Sequence, residues 1–200
     1  GVVLVSVNYR LLPEADPSVH VRDVAAALAA AQSKAAGWGA DRTRCVLMGH
    51  SAGAHLVALL AASPALVEAA GAVPVLGTVS LDSAALDVVP IMEGRHLPLY
   101  DRAFGSDPAS WQRVSPYHQL ERTMPPFLGV CSSRRADACP QARRFAEHAR
   151  RLGTRAEVLA QDLSHGEINE NLGRDGDYTR AVETFLRTLD PALAARLPSH

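Results

Sequence analysis

Apolar residues in this chain form short unbroken runs that alternate with segments in which they recur every three or four positions. The unbroken runs are typical of strands buried on both faces, and the periodic segments are typical of helices that bury one face. The runs predict strands over residues 2–7, 45–48, 75–81, 127–131 and 156–160. The periodic segments predict helices between Asp16 and Gly37, from Ser51 to about Ser63, and over residues 140–152 and 177–189.

This alternation of strands and helices predicts an α/β fold with a mostly parallel sheet and helices on both faces. Residues 2–7, the helix after Asp16 and residues 45–48 are expected to form a right-handed βαβ unit. The 200 residues are 48% hydrophobic, which is enough for one substantial core. We therefore expect a single domain over residues 1–200.

One segment, residues 83–123, interrupts the alternation and is longer than an ordinary connection. It contains apolar and aromatic side chains, among them Met92, Phe104 and Trp111. One hypothesis is that these side chains line a pocket for an acyl or aromatic group, and the alternative is that they anchor the segment to the body. We expect the segment as a whole to line a substrate pocket, with His50 as a further substrate-binding residue.

The charge balance and the short apolar runs argue against nucleic acids and membranes as partners. Lysine and arginine total 20 against 21 acidic residues, so nothing favours a nucleic acid or an anionic membrane surface as partner. No apolar run is long enough to cross a bilayer.

Six arginines are interpreted as a solvated face: Arg134, Arg135, Arg143, Arg144, Arg150 and Arg151. The chain starts at Gly1 on a strand-like run, which indicates a fragment or a processed chain, so neither compartment nor oligomeric state is predicted.

The three cysteines do not have the spacing of metal ligands, and no metal site is expected. Cys45 lies on a predicted strand and is interpreted as a small buried apolar residue. Cys131 and Cys139 flank one loop and could form a disulfide in an oxidising compartment, although spacing alone does not establish that bond.

Residues 49–53 read Gly-His-Ser-Ala-Gly and lie between a predicted strand and a predicted helix. In that setting G-x-S-x-G is typical of a nucleophile held on a sharp strand-to-helix turn, although the pattern alone also arises in ordinary turns. Ser51 is the predicted nucleophile. The amide of Ala52, at the start of the helix, is the predicted donor to a developing oxyanion.

A serine nucleophile needs a base, and His165 is our choice among the eight histidines. It follows the last predicted strand in a polar loop, at the sheet edge where catalytic groups of α/β proteins gather. His50 adjoins Ser51 on so tight a turn that it should point away from it, and His55 is expected to pack or cap. Surface placements are expected for His20, His148 and His200, and the long segment contains His96 and His118. A carboxylate must orient the imidazole. Asp137, after the fourth predicted strand, is chosen, and Asp82 is the rival at the end of the third.

Several motifs together resemble those of α/β-hydrolase fold esterases and lipases, in particular the hormone-sensitive-lipase-like and kynurenine-formamidase-like enzymes. They are Val-Asn-Tyr-Arg-Leu-Leu-Pro-Glu at residues 7–14, the segment 49–57, Ala-Phe-Gly-Ser-Asp-Pro at 103–108 and His-Gly-Glu-Ile-Asn at 165–169. The resemblance implies hydrolysis through an acyl-enzyme, with Ser51 as nucleophile, His165 as base and Asp137 as acid. It implies no metal and no organic cofactor.

The chain departs from this family at its start. Such enzymes carry a His-Gly-Gly-type loop and the first strands of the sheet upstream of the point where this chain begins, and that loop supplies further oxyanion donors. We expect a carboxylesterase that acts on small to medium acyl esters. An arylformamidase or amidase with the same triad is the first alternative. A hydrolase-derived fragment with a binding role, or with no activity alone, is the alternative from another class.

Overall fold

The computed structural model describes residues 1–197, so His200 lies outside the described residues. Within them, four parallel strands form one sheet in the order β1-β2-β3-β4. The strands are β1 (Val46–His50), β2 (Gly77–Leu81), β3 (Phe127–Ser132) and β4 (Ala156–Gln161). The last four predicted strands are therefore confirmed, with small shifts at their ends.

Helices of very different lengths connect and cover these strands. In chain order they are α1 (Pro17–Lys34), α2 (Ala52–Ala62), α3 (Pro64–Ala69), α4 (Val89–Glu93), α5 (Pro98–Phe104), α6 (Pro108–Arg113), α7 (Pro116–Gln119), α8 (Ala138–Arg151), α9 (His165–Glu170), α10 (Asp177–Arg187) and α11 (Pro191–Ala194). The predicted start of α1 is confirmed, because the Asp16 carboxylate accepts hydrogen bonds from the amides of Ser18 and Val19. None of the helices in residues 1–197 is both long and apolar enough to cross a membrane.

Helices cover both faces of the sheet, as predicted. Successive side chains of a strand point to opposite faces, and β3 illustrates this. Phe127 packs in a cluster with Phe145 of α8, whereas Leu128 packs in a cluster with Val182 of α10. A further cluster joins α1 to α2. The core therefore lies in layers above and below the sheet.

Residues 2–7 do not form the predicted strand, so the predicted βαβ unit is wrong. The structure assigns no strand to this segment, and the side chains of Val2 and Leu4 are 61% and 92% exposed. A buried strand requires a hydrogen-bonded neighbour and cover on both faces. Among the described residues the sheet begins at β1 instead. Residues 2–7 therefore have no neighbouring strand there, despite their β-branched composition.

The long segment 83–123 folds into the four short helices α4 to α7 and is anchored through Asp87. The Asp87 carboxylate is buried and lies 3.2 Å from His118 Nε2 and 3.0 Å from Arg144 Nη2. The side chain of Gln141 in α8 bonds to both the amide and the carbonyl of Asp87. Arg144 is therefore not a freely solvated side chain, because it helps to hold this segment on α8.

The cysteines form one disulfide, between Cys131 at the end of β3 and Cys139 in the first turn of α8. The disulfide that the sequence left open between these two cysteines is therefore present. Cys45 is a free thiol that directly precedes β1 and is half-buried instead of fully buried. The disulfide closes the loop that carries Arg134, Arg135 and Asp137.

Candidate active site

Ser51 lies on the sharp turn between β1 and α2. Its φ of 57° is positive, which is rare for a residue other than glycine and indicates local strain. The Ser51 amide still donates to the carbonyl of Leu81 at 2.9 Å, so the backbone stays attached to the sheet. A Cβ at Gly49 would lie 2.3 Å from the Gly53 carbonyl oxygen, so glycine is required at that position. A Cβ at Gly53 would meet open space.

Ala52 is the first residue of α2 and is exposed. Amides in the first turn of a helix lack an acceptor within the helix, and they lie at the positive end of its dipole. Within residues 1–197 no acceptor faces the Ala52 amide, which directly follows Ser51 in the chain.

Asp82 occupies the equivalent position on the neighbouring strand. His50 and Leu81 are register partners in the parallel pair β1–β2, so Ser51 and Asp82 both follow directly on paired residues. The Asp82 side chain is fully buried, and its Oδ1 accepts a hydrogen bond from the Ser132 amide at 2.7 Å. Asp82 therefore reaches the carboxyl edge of the sheet beside Ser51.

His165 bridges these two residues. Its Nδ1 lies 2.6 Å from Asp82 Oδ2, and its Nε2 lies 3.0 Å from Ser51 Oγ. A distance of 2.6 Å to a carboxylate oxygen requires a proton between the two atoms, so Nδ1 is the donor. In the neutral ring Nε2 then carries the lone pair, and it accepts a hydrogen bond from the Ser51 hydroxyl.

A capping box determines where His165 lies. The Ser164 hydroxyl accepts a hydrogen bond from the Glu167 amide, and the Glu167 carboxylate accepts one from the Ser164 amide at 2.7 Å. Ser-x-x-Glu is a local helix-start signal, and it makes His165 the first residue of α9. The side chain is 41% exposed, so one side of the imidazole remains open.

Asp137 does not orient His165, so the choice of Asp137 is corrected to Asp82. The Asp137 carboxylate, which is 54% exposed, pairs with Arg135 through two contacts of 3.3 Å. The physical reason is position: Asp82 directly follows the end of β2, whereas Asp137 lies beyond the turn that follows β3. Asp82 keeps the chain order of serine, acid and histidine, as Asp137 would have done.

Arg135 belongs to the site, although its sequence context suggested a solvated side chain. Its Nη1 donates to Asp82 Oδ2 at 2.9 Å and lies 3.0 Å from His165 Nδ1. Burial by itself raises the pKa of Asp82, but hydrogen bonds from Ser132, His165 and Arg135 outweigh burial and leave that pKa lowered. The signal that was missed is the placement of two arginines in a short loop beside the predicted acid.

His50 contacts His165, not an open pocket. Its Nε2 donates to the His165 carbonyl at 2.9 Å, and the two ring centroids are 4.4 Å apart. Burial is the main reason that the pKa of His50 is lowered, which keeps the ring neutral. The structure thus places His50 as a support for His165, which differs from its predicted contact with substrate.

The other three predicted substrate-binding residues lie in the segment 83–123. Met92 is 8% exposed within the α1–α2 core cluster, and Trp111 donates from its indole nitrogen to the Gly105 carbonyl. Phe104 stacks on Tyr100 and lines a surface cavity of about 300 Å³ beside the start of α1. Met92 and Trp111 therefore match the anchoring alternative, and Phe104 faces a cavity whose lining in the described chain does not include Ser51.

Within residues 1–197, no group of three or more histidine, cysteine, aspartate or glutamate side chains is placed to hold a metal ion. The chemistry that these side chains can perform is proton transfer from a serine hydroxyl to an imidazole whose other nitrogen is bonded to a buried carboxylate.

Comparisons with known proteins find esterases among the relatives of this chain. The chain is 28% identical over 207 residues to esterase LipC of Mycobacterium tuberculosis (strain ATCC 25618 / H37Rv), with 93% of this chain and 50% of LipC covered. It is 29% identical to the probable carboxylic ester hydrolase LipM of the same organism, with 93% and 47% covered. The chain thus spans about half the length of these curated relatives.

Among solved structures, the apo form of Thermogutta terrifontis esterase 2 superimposes with a TM-score of 0.71 at 22% identity, covering 96% of this chain and 72% of that one. Esterase B from Lactobacillus rhamnosis superimposes with a TM-score of 0.71 at 20% identity, covering 94% and 65%. At these identities the likeness concerns the fold. The sequence pattern of the alpha/beta hydrolase fold matches residues 1–166, so the chain belongs to the alpha/beta hydrolase fold family.

Proposed function

We propose that this chain hydrolyses carboxylic esters of small to medium acyl groups through an acyl-enzyme on Ser51. The observation that carries the proposal is the continuous series from Ser51 Oγ through the two ring nitrogens of His165 to Asp82 Oδ2, with steps of 3.0 and 2.6 Å. Both distances lie within hydrogen-bond reach, which a nucleophile and its base require.

The first half of the reaction forms the acyl-enzyme. Ser51 Oγ attacks the ester carbonyl carbon while its proton passes to His165 Nε2. The carbonyl oxygen becomes negative and accepts a hydrogen bond from the Ala52 amide. His165 then gives the proton to the departing alcohol oxygen, and the C–O bond to that alcohol breaks. The second half repeats these steps with water in place of Ser51, which releases the acid and restores the hydroxyl.

Asp82 supports both halves without transferring a proton. Its bond to Nδ1 holds the tautomer in which Nε2 is the base, and its charge stabilises the imidazolium that forms in each half. The lowered pKa of Asp82, in which hydrogen bonds outweigh burial, supports a carboxylate that stays ionised throughout turnover.

The names of the relatives favour esters over formamides as the scissile bond. LipC is named an esterase and LipM a probable carboxylic ester hydrolase. The same three side chains also serve amide hydrolysis. N-formylkynurenine therefore belongs in the assay as a comparison substrate.

The test measures release of p-nitrophenol from the acetate, butyrate and decanoate esters by the 200-residue chain and by Ser51→Ala. We expect hydrolysis of the acetate and butyrate above background, and loss of at least about a thousandfold in Ser51→Ala. Ser133→Ala is the matched control, because Ser133 is an exposed hydroxyl near the same sheet edge. Equal rates for the parent chain and Ser51→Ala would refute the proposal.

A second measurement identifies the nucleophile directly. A fluorophosphonate should add one phosphonyl group, and peptide mapping should locate it on Ser51. Labelling at another serine, or equal labelling of Ser51→Ala, contradicts the proposed role.

A further inference from the structure

We propose that Arg135 and Asp137 form a charge pair that sets the lower end of the pH range in which His165 can act as a base. Arg135 opposes protonation of the imidazole, and Asp137 weakens that opposition. The inference rests on the proposed function for its catalytic meaning, but protonation of His165 can be measured without turnover.

The geometry places the guanidinium against both members of the acid–base pair. Arg135 Nη1 donates to Asp82 Oδ2 at 2.9 Å and to the Asp82 carbonyl at 3.2 Å. The same nitrogen lies 3.0 Å from His165 Nδ1. Because Nδ1 already donates to Asp82, this last contact brings two donor groups together. The N–H groups of Arg135 and His165 therefore repel each other.

The consequence follows from charge. When His165 accepts a proton, its ring becomes a cation beside the Arg135 guanidinium, and both cations share the single charge of Asp82. A like charge this close disfavours the charged form of a titrating group, and partial burial limits screening by solvent. The Arg135 side chain is 26% exposed. The Arg135 guanidinium therefore opposes the imidazolium that the Asp82 carboxylate favours.

Asp137 acts in the opposite direction through Arg135. Its two carboxylate oxygens face Nε and Nη2 of the guanidinium, each at 3.3 Å, on the side away from Asp82. A carboxylate there neutralises part of the charge that His165 experiences. The Asp137 side chain is 54% exposed, so solvent screens this contribution and makes it smaller than that of Arg135.

The position of Arg135 is fixed by the chain around it. The Cys131–Cys139 disulfide closes the loop that carries it. At the start of the loop, the Ser132 amide donates to Asp82 and the Ser132 hydroxyl donates to the Leu163 carbonyl. Hydrogen bonds to Asp82 hold the guanidinium in place, and the disulfide-closed loop holds the backbone of Arg135.

Other titratable groups close to the imidazole, or to the residues around it, are already paired or kept neutral. They are His50 from β1, Tyr100 from α5, Arg134 from the loop, Glu167 from α9 and Tyr178 from α10. His50 is held neutral mainly by burial, which lowers its pKa. Glu167 caps Ser164 and pairs with Arg134 at 3.1 Å. Burial raises the pKa values of Tyr100 and Tyr178, so both phenols are uncharged at neutral pH. Besides Asp82, Arg135 is thus the charged side chain that contacts the ring, and Asp137 is its partner.

The test compares Arg135→Gln with Asp137→Asn, which change charge in opposite directions. One readout is the ¹H–¹³C NMR titration of the His165 Cε1–H group, and the other is the acid limb of kcat/KM for p-nitrophenyl acetate. Arg135→Gln should move both midpoints up by about one pH unit. Asp137→Asn should move them down by a smaller amount, about 0.3 pH unit. Arg135→Lys keeps the charge and should stay near the parent value.

The outcomes separate this inference from simpler roles. If Arg135→Gln lowers the plateau of kcat but leaves both midpoints in place, Arg135 only holds Asp82 and the proposal is wrong. It is equally wrong if the two variants move the midpoint in the same direction. A chain without turnover contradicts the proposed function, yet the NMR titration still decides the charge pair.

Discussion

Ser51 and Asp82 leave neighbouring parallel strands at the same level and with the same unusual backbone angle. The residues before them, His50 and Leu81, are register partners, and both Ser51 and Asp82 have φ of 57°. Each strand is therefore followed by a residue with positive φ at the carboxyl edge of the sheet. His165, at the start of α9, contacts both side chains.

This relationship predicts different effects for the two candidate acids. Asp82→Asn removes the charge that orients His165 and stabilises its protonated form, so kcat for p-nitrophenyl butyrate should fall by about 10⁴. Asp137→Asn leaves the Asp82–His165 bond in place, and the plateau value should change by less than about tenfold. Circular dichroism should show both variants folded. A greater loss for Asp137→Asn would restore Asp137 as the acid.

The turn at Ser51 predicts unequal tolerance of its two glycines. In Gly49→Ala the added methyl group would overlap the backbone of Gly53, so we expect a loss of about 1–3 kcal/mol in the free energy of unfolding. Gly53→Ala adds a methyl group in open space inside α2 and should stabilise by up to about 1 kcal/mol. Urea unfolding of both variants measures the difference, and equal destabilisation would contradict the packing.

Buried His55 predicts a loss of stability in mild acid. Burial is the main reason that the pKa of His55 is lowered to about 4 in the folded chain, against about 6.5 when unfolded. As the pH falls through this interval, the unfolded chain binds a proton that the folded chain rejects. Stability should therefore fall by about 3 kcal/mol between pH 7 and pH 4.

The matched variant is His55→Asn, whose amide can donate to the Ala85 carbonyl in place of Nδ1. Unfolding by urea at several pH values measures the free-energy difference between parent and variant. That difference should shrink as the pH falls, and a constant difference would show that His55 does not cause the acid sensitivity.

The disulfide predicts a response to reduction. Cys131 and Cys139 are eight positions apart. Closing a loop of this length reduces the conformational entropy of the unfolded chain, which stabilises the folded chain by about 2.5 kcal/mol. The double variant Cys131→Ala with Cys139→Ala should unfold at a lower temperature, and reductant should no longer shift it. Cys45→Ala, which removes the free thiol, is the control that should retain the shift. An unchanged melting temperature of the parent in reductant would contradict the prediction.

Much of the architecture could be predicted because local signals carry it. Asp16-Pro17 marks the start of α1, Ser164 with Glu167 marks the start of α9, and unbroken apolar runs mark the strands of the sheet. Residues 2–7 show where this logic ends. A β-branched run favours a strand, but a strand forms only where a neighbouring strand is available to pair with it.

The choice between Asp82 and Asp137 could not be made from local signals, because both follow strands and both precede His165 in the chain. The decision depends on register, which places Asp82 beside Ser51, and on Arg135, which holds Asp137 in an ion pair. Contacts of this kind join residues far apart in sequence. Arg135 and Asp137, only two positions apart, form the one part of this arrangement that spacing alone could have indicated.

The segment that follows Asp82 is attached to the sheet at both of its ends. It leaves β2 directly after Asp82 and returns at β3, and these two strands are hydrogen-bonded neighbours. Its entry and exit are therefore fixed by the sheet, whatever lies between them. Between those ends, the buried side chains of Leu86, Val88 and Met92 and the ion pair of Asp87 with Arg144 attach the segment to the body. Because the segment starts directly after Asp82, loosening these anchors would also loosen the residue that is bonded to His165.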